Sequence, residues 1–357
     1  MTVLLSGGAG FVGQHLARRL LEVRFEVAAL DVLHPQVHAD PDAARRAFPG
    51  PVIQGDVADR RVWTTAAAQL HRGEALVHLA AETGTGQSMY EVDRYHRVNV
   101  DGTRRAAEFA VGHGIPLVVL SSWAVYGGGR HQCRDHRPTF GRPCCPAATP
   151  VPSREDDPHH PVSVLGETKS LAESVAIALC GDRVPLTVVR PQSVVGPGQA
   201  LHNPYAGVLA AFLARLREQR PLRIHGDGNQ TRDVVHVDDL AALLTHLVAD
   251  PPVPGAPLVL NAGTGVRTSL VELAALATEA APVSGAGLEL VGLRRAGDVA
   301  HACADLTRLT EVGAPVPSRS AADAVRDFVR ASWDLPGAPS SRWDEALRQL
   351  EERGLTS

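Results

Sequence analysis

Val3-Leu4-Leu5-Ser6-Gly7-Gly8-Ala9-Gly10-Phe11-Val12-Gly13 decides the fold. The apolar run at residues 3–5 reads as a buried strand, and glycines then fall at Gly7, Gly10 and Gly13. A helical pattern follows at once, with Val12, Leu16 and Leu20 spaced by four and Ala17 and Leu21 beside them. In such a strand-turn-helix the first glycine permits a tight turn. The second lets backbone amides approach a pyrophosphate, and the third lets helix and strand pack closely. The anion then sits on the positive end of the helix. A second strand, residues 26–30, ends in Asp31, where a carboxylate can bind the adenosine ribose.

The spacing is Gly-x-x-Gly-x-x-Gly, and with its context it resembles the extended branch of the short-chain dehydrogenase/reductase superfamily. The resemblance implies a Rossmann-type α/β fold, a doubly wound parallel sheet with a smaller C-terminal substrate-binding lobe. Residues 1–190 are then the dinucleotide-binding domain, with a lid-like insertion at 127–161. Residues 191–357 are mainly the substrate lobe, with 232–262 returning to the Rossmann core.

Composition agrees with a globular enzyme. The chain has 357 residues, 44% hydrophobic and 21% charged, enough for a large core and inconsistent with a disordered protein. A net charge of −4 gives no reason to expect nucleic acid as partner, and no run suits a membrane span. The first strand starts so near Met1 that a signal peptide is not expected, which makes a cytoplasmic location the expectation. Five cysteines do not suggest a disulfide framework. Of 35 basic residues a single one, Lys169, is lysine, which points to a site needing a compact ammonium.

Further strands are expected at residues 52–55, 76–81, 117–122 and 186–190. The resemblance implies cofactor contacts at Gly7, Gly10, Phe11, Val12, Gly13, Asp31, Asp56, Val57, Ala80, Ala81, Lys169, Pro191 and Ser193. Asp56 and Val57 would lie on the adenine side. The polar segment after the fourth strand offers Gln87, Ser88 and Tyr90, either as substrate contacts or simply as the start of a helix. Asn99 is expected to open a helix from Val100 to Val111, with Gly112 and Gly114 ending it. The insertion is rich in Pro, Gly, Arg and His, and its length suits a flexible lid. It carries His131, Cys133, His136, Cys144 and Cys145, but their spacing fits no standard zinc pattern, so no metal is expected.

The segment Ser121-Ser122-Trp123-Ala124-Val125-Tyr126-Gly127 resembles the Ser-Ser-x-Ala-x-Tyr-Gly motif of nucleotide-sugar epimerases, which makes Ser122 the hydrogen-bond donor to the reacting oxygen. Trp123 and Ala124 stand where 4,6-dehydratases carry an Asp-Glu pair, which disfavours elimination of water. Residues 190–199, 203–208, 228–239 and 295–305 resemble the dTDP-L-rhamnose 4-epimerase group. That likeness implies Arg232 and Arg295 as a diphosphate clamp and Tyr205 as a substrate contact.

One position departs from the pattern. In Pro161-Val162-Ser163-Val164-Leu165-Gly166-Glu167-Thr168-Lys169 the family's acid/base tyrosine is Leu165, while Lys169 remains. Leucine cannot transfer a proton, and losing such a group costs about 10²–10⁴ in rate. Oxidising an unactivated alcohol suffers most from this loss. The favoured expectation is therefore a one-way NAD(P)H-dependent ketoreductase using Ser122 and Lys169. Its substrate would be a ketone that assists its own protonation, such as an aromatic polyketide flanked by phenols, as in atypical ketoreductases of antibiotic biosynthesis. A nucleotide-sugar 4-epimerase and a catalytically inactive cofactor-binding protein are the alternatives. The cofactor is NAD(H) or NADP(H): Asp31 opposes a 2′-phosphate, while Arg45 or Arg46 could neutralise it. The partner is a small-molecule substrate, and the resemblance implies a homodimer through two surface helices.

Overall fold

A computed structural model of the chain describes residues 2–69, 73–135, 137–283 and 285–356. The strands of the main sheet begin with β1 (Thr2–Ser6), β2 (Glu26–Asp31), β3 (Val52–Gln54), β4 (Gly73–His78) and β5 (Leu117–Leu120). After the insertion strands β6 (Arg130–Gln132), β7 (Thr139–Phe140) and β8 (Thr149–Val151) comes β9 (Leu186–Pro191). Strands β10 (Ser193–Val195), β11 (Leu222–Ile224), β12 (Thr231–Arg232) and β13 (Val234–His236) precede β14 (Leu258–Ala262). Seven of them form one sheet in the order β14-β9-β5-β4-β1-β2-β3, every pairing parallel. The chain is thus a doubly wound Rossmann fold, as expected. Its direction reverses between β1 and β4, where such sheets open a crevice at the strands' carboxyl ends.

Alternation along the strands builds two core layers. Val3 and Leu5 face the helices Phe11–Glu22 and Val237–Ala249 through Leu16, Leu20, Leu240 and Leu244. Leu4 and Leu30 face the opposite layer with Leu76, Phe109 and Leu117. Each such fully buried leucine contributes roughly 1.5–3 kcal/mol. A third cluster, around Phe212, Leu216, Ile224, Leu273 and Phe328, is distinct from these two layers.

Two segments differ from expectation. The insertion is not irregular: β6 pairs antiparallel with both β7 and β8, and Ser153 ties its return to Cys303 and Asp305 by backbone bonds of 2.9 and 2.8 Å. Close approach at its foot requires Gly127, whose φ is +55° and where a Cβ would lie 1.8 Å from the His160 carbonyl. The second difference concerns Asn99, which does not open a helix. Helix Val92–Tyr95 runs through a π turn, His96–Asp101, into Gly102–His113, and Gly114 ends it at φ +64°. The widened turn places the buried Asn99 amide on Glu82 and Thr168, so the side chain is held by tertiary bonds rather than by a cap.

Candidate active site

The glycine cradle is built as its spacing implies. Gly7 has φ +71°, and a Cβ there would lie 2.7 Å from Ala80 N. A Cβ on Gly13 would lie 2.4 Å from the Gly8 carbonyl, so only glycine lets the helix approach this closely. Gly10 is the N-cap of helix Phe11–Glu22 and makes no side-chain cap, which leaves the first-turn amides directed at the crevice. Asp31 is buried and accepts Ala9 N at 3.1 Å and Leu33 N at 2.8 Å, one on each oxygen. Each oxygen keeps a lone pair for a ribose hydroxyl. Arg45 turns to Gln54, while the His38 ring lies 3.7 Å from Asp31. Asp56 accepts from Ala58 N at 2.9 Å and pairs with Arg97 at 2.5 Å, and Val57 is buried beside it.

Ser122 and Lys169 come together at the end of β5. Ser122 caps the short 3₁₀ turn Trp123–Tyr126 by accepting Ala124 N at 3.1 Å, and among the described residues its hydroxyl donates to no protein acceptor. Lys169 reaches up from helix Val164–Cys180 and donates to the Leu120 carbonyl at 2.7 Å. Burial pushes its ammonium down to about 8, opposed by the charge of Glu173. Below the cradle His78 sits between Ser6 at 2.6 Å and Thr103 at 3.1 Å. Burial, reinforced by Lys169, drops its pKa to about 3 and keeps it neutral.

Leu165 is buried one turn before Lys169. Every phenol in the chain is committed elsewhere. Tyr90 and Tyr205 bond each other at 2.6 Å, Tyr95 donates to the Gly84 carbonyl at 2.7 Å, and Tyr126 donates to Asn261 at 2.7 Å. Burial raises the pKa of Tyr90, Tyr95 and Tyr126 alike, which moves them further from proton exchange near neutral pH.

Of Gln87, Ser88 and Tyr205, expected as substrate contacts, Gln87 is buried and exchanges hydrogen bonds with Gln36 while donating to Glu91 at 3.0 Å. Ser88 donates to the Thr85 carbonyl at 2.7 Å. The Tyr205 side chain lies against Gly84. Arg232 is half-buried over the Trp123 ring at 5.5 Å and donates to the Thr231 and Ala300 carbonyls at 2.8 and 3.4 Å. Among the described residues it has no carboxylate partner within 4 Å. Burial lowers its pKa, with Asp298 opposing and Arg295 reinforcing. Arg295 instead pairs with Asp298 at 2.9 Å. The two arginines are neighbours, then, but only Arg232 lacks an anionic partner.

Comparison with known proteins decides the family. Residues 3–263 match the model of the NAD dependent epimerase/dehydratase family. The chain belongs to that family. Over 325 residues this family member is 37% identical to a dTDP-L-rhamnose 4-epimerase of Burkholderia thailandensis, covering 85% of this chain and 87% of the relative. It is 33% identical over 275 residues to a UDP-glucose 4-epimerase of Mycolicibacterium smegmatis, covering 76% and 80%. The solved structure of MoeE5 in complex with UDP-glucuronic acid and NAD is similar at a TM-score of 0.73 and 27% identity, covering 93% of this chain and 99% of that one. The cofactor of this family member is therefore NAD, in agreement with Asp31, which among the described residues no arginine or lysine approaches within ion-pair distance. The cradle fits it, since any side chain at Gly7 or Gly13 would fill the space the glycines leave. These relatives do not support an aromatic polyketide substrate; two are named as nucleotide-sugar 4-epimerases and the third is solved with UDP-glucuronic acid. No helix among the described residues is long and apolar enough to cross a membrane.

Three features of this epimerase/dehydratase-family site are absent from the sequence reading. Glu173 is buried behind Lys169 and binds Arg190 at 2.7 Å and Ser121, while Arg190 also donates to Tyr126 at 2.7 Å. Glu173 lies four residues after Lys169 on one helix face, a spacing that could have flagged it. Gln192 is buried with neither amide atom hydrogen-bonded, beside a cavity of about 10 Å³ that it lines with Trp123, Tyr126 and His301. Such a volume has room for about one water. The face of Trp123, read above merely as a missing acid, is the platform for Arg232.

Proposed function

We propose that this chain is an NAD(H)-dependent enzyme of nucleoside-diphosphate sugars that transfers hydride at a sugar carbinol carbon, the 4-epimerase type of reaction. The observation that carries this reading is Arg232, a guanidinium held over Trp123 beside Ser122 with no carboxylate within ion-pair reach among the described residues. A cation placed this way suits a diphosphate, and the named activities of the relatives point the same way.

The division of labour follows from the residues. When bound, the nicotinamide cofactor supplies the centre that accepts and returns hydride. Gly7, Gly10 and Gly13 give its pyrophosphate room at the helix amides, Asp31 takes the adenosine ribose, and Lys169 takes the nicotinamide ribose. Asp56, Val57, Ala80, Ala81, Pro191 and Ser193 line the remainder. When the reacting carbon is a ketone, Ser122 donates to its oxygen. When it is an alcohol, with Leu165 in place of a phenol, Ser122 accepts that oxygen's proton as its own passes to water, so proton transfer limits the rate.

Leu165 also favours a second reading, the one-way reduction of a ketone that arrives with its own proton donor. One experiment separates the two. The pure protein is mixed with NAD(H) and, in turn, nucleotide sugars, their 4-keto derivatives and aryl ketones, and the sugar is followed by NMR and the cofactor by absorbance. Inversion at the sugar carbon without net loss of NADH is expected. NADH consumption with aryl ketones alone would establish the second reading, and cofactor binding without turnover would end both.

A further inference from the structure

The insertion strands β6, β7 and β8 form a sheet with almost no core. From residue 128 to residue 152, Cys133 is the only buried residue among those described. A three-stranded sheet without an apolar face is marginal in water, and structures this small are held by disulfides or metal ions. The strand pairing brings Cys133, just after β6, to Cys144 and Cys145 in the connection between β7 and β8. The Cys133 and Cys145 sulfurs are 3.4 Å apart, those of Cys144 and Cys145 3.8 Å, and all three thiols lie within 4.8 Å of one another.

We propose that Cys133, Cys144 and Cys145 bind a Zn²⁺ ion as thiolates, with a water as the fourth ligand, stapling the insertion that borders the cavity beside Trp123. Geometry supports zinc over a disulfide. A Zn–S bond of about 2.3 Å in a tetrahedron sets sulfurs about 3.8 Å apart. A disulfide needs about 2.05 Å and would use one pair while leaving the third thiol outside. Three sulfurs with no carboxylate among them select a soft or borderline ion over magnesium or calcium. Binding releases the thiol protons to solvent, and the exposed Cys144 gives the ion an entry path. The adjacency of Cys144 and Cys145 hides the site from spacing rules written for ligands at least two residues apart. His136, weighed as a ligand from the sequence, lies outside the described residues. The staple has a consequence at the site. Gly129, just before β6, lines the cavity with Trp123, Tyr126 and His301, so the metal holds that wall in place.

The test uses the full chain purified under reducing, chelator-free conditions. Metal analysis should find about one zinc per chain, falling at least about tenfold in Cys133→Ser and in Cys145→Ser. Should either variant fail to fold, titration of metal-free wild type with Co²⁺ decides. A sulfur-to-cobalt charge-transfer band saturating near one equivalent is expected. Two outcomes would overturn the site: no uptake of zinc or cobalt by reduced wild type, or equal uptake by the serine variants.

Discussion

Leu165 and Lys169 stand one helical turn apart on helix Val164–Cys180, both buried, with Lys169 reaching the Leu120 carbonyl at 2.7 Å. The cation that would tune a phenol is in position, and the phenol is absent. Restoring it should restore the proton step. Leu165→Tyr is expected to raise sugar-nucleotide turnover by about 10²–10⁴. An unchanged rate, with the variant folded and binding NAD, would place the acid/base group elsewhere.

In the proposed reaction Ser122 supplies the hydroxyl at the reacting oxygen. Ser122→Ala should lower turnover by about 10² or more. NAD affinity, measured by calorimetry, should stay within about twofold, because Ser122 bonds no part of the glycine cradle. Equal turnover in the variant would remove Ser122 from the mechanism.

Arg232 offers a charge with no carboxylate to meet it. Arg232→Met keeps the packing on Trp123 and removes the charge. Affinity for UDP or dTDP should fall about 10- to 100-fold, the range of a charge-assisted hydrogen bond. Binding of NAD should be unaffected. A variant that holds the diphosphates as tightly as wild type would dissociate Arg232 from substrate recognition.

Lys169 carries a pH signature. Its folded pKa, pushed to about 8 by burial, lies below the unfolded value of 10.5. Between these values the unfolded chain binds the extra proton, so this group makes stability rise with pH through that window. The penalty of the buried ammonium is present in full below about 8. Lys169→Met should flatten that part of a denaturation series taken across the window. An unaltered slope would mean that the lysine titrates as it does in water.

Glu173 and Arg190 form a buried pair at 2.7 Å, both almost fully excluded from solvent. Breaking it from one side strands a charge in the interior. Glu173→Leu should cost about 3–5 kcal/mol in chemical denaturation, more than a surface pair would. A loss below about 1 kcal/mol would show that water reaches Arg190.

Local spacing determined a great deal here. The three glycines define the cradle, because backbone clearance depends on residues a few positions apart, and the close approach at Gly7 and Gly13 that only glycine permits follows from it. Alternation and helical periodicity specify the layers of the sheet, and the absent phenol is visible in one helix turn. Tertiary structure alone decided the rest. Arg232 meets Trp123 across more than a hundred residues, Glu173 on its helix meets Arg190 on β9, and the thiols of Cys133 and Cys145 converge only once β6, β7 and β8 have paired. The π turn at Asn99 likewise answers to Glu82 and Thr168, which no helix-start rule includes. Each of these depends on chain segments brought together by folding, and pairwise distance in space is not written in the separation along the chain.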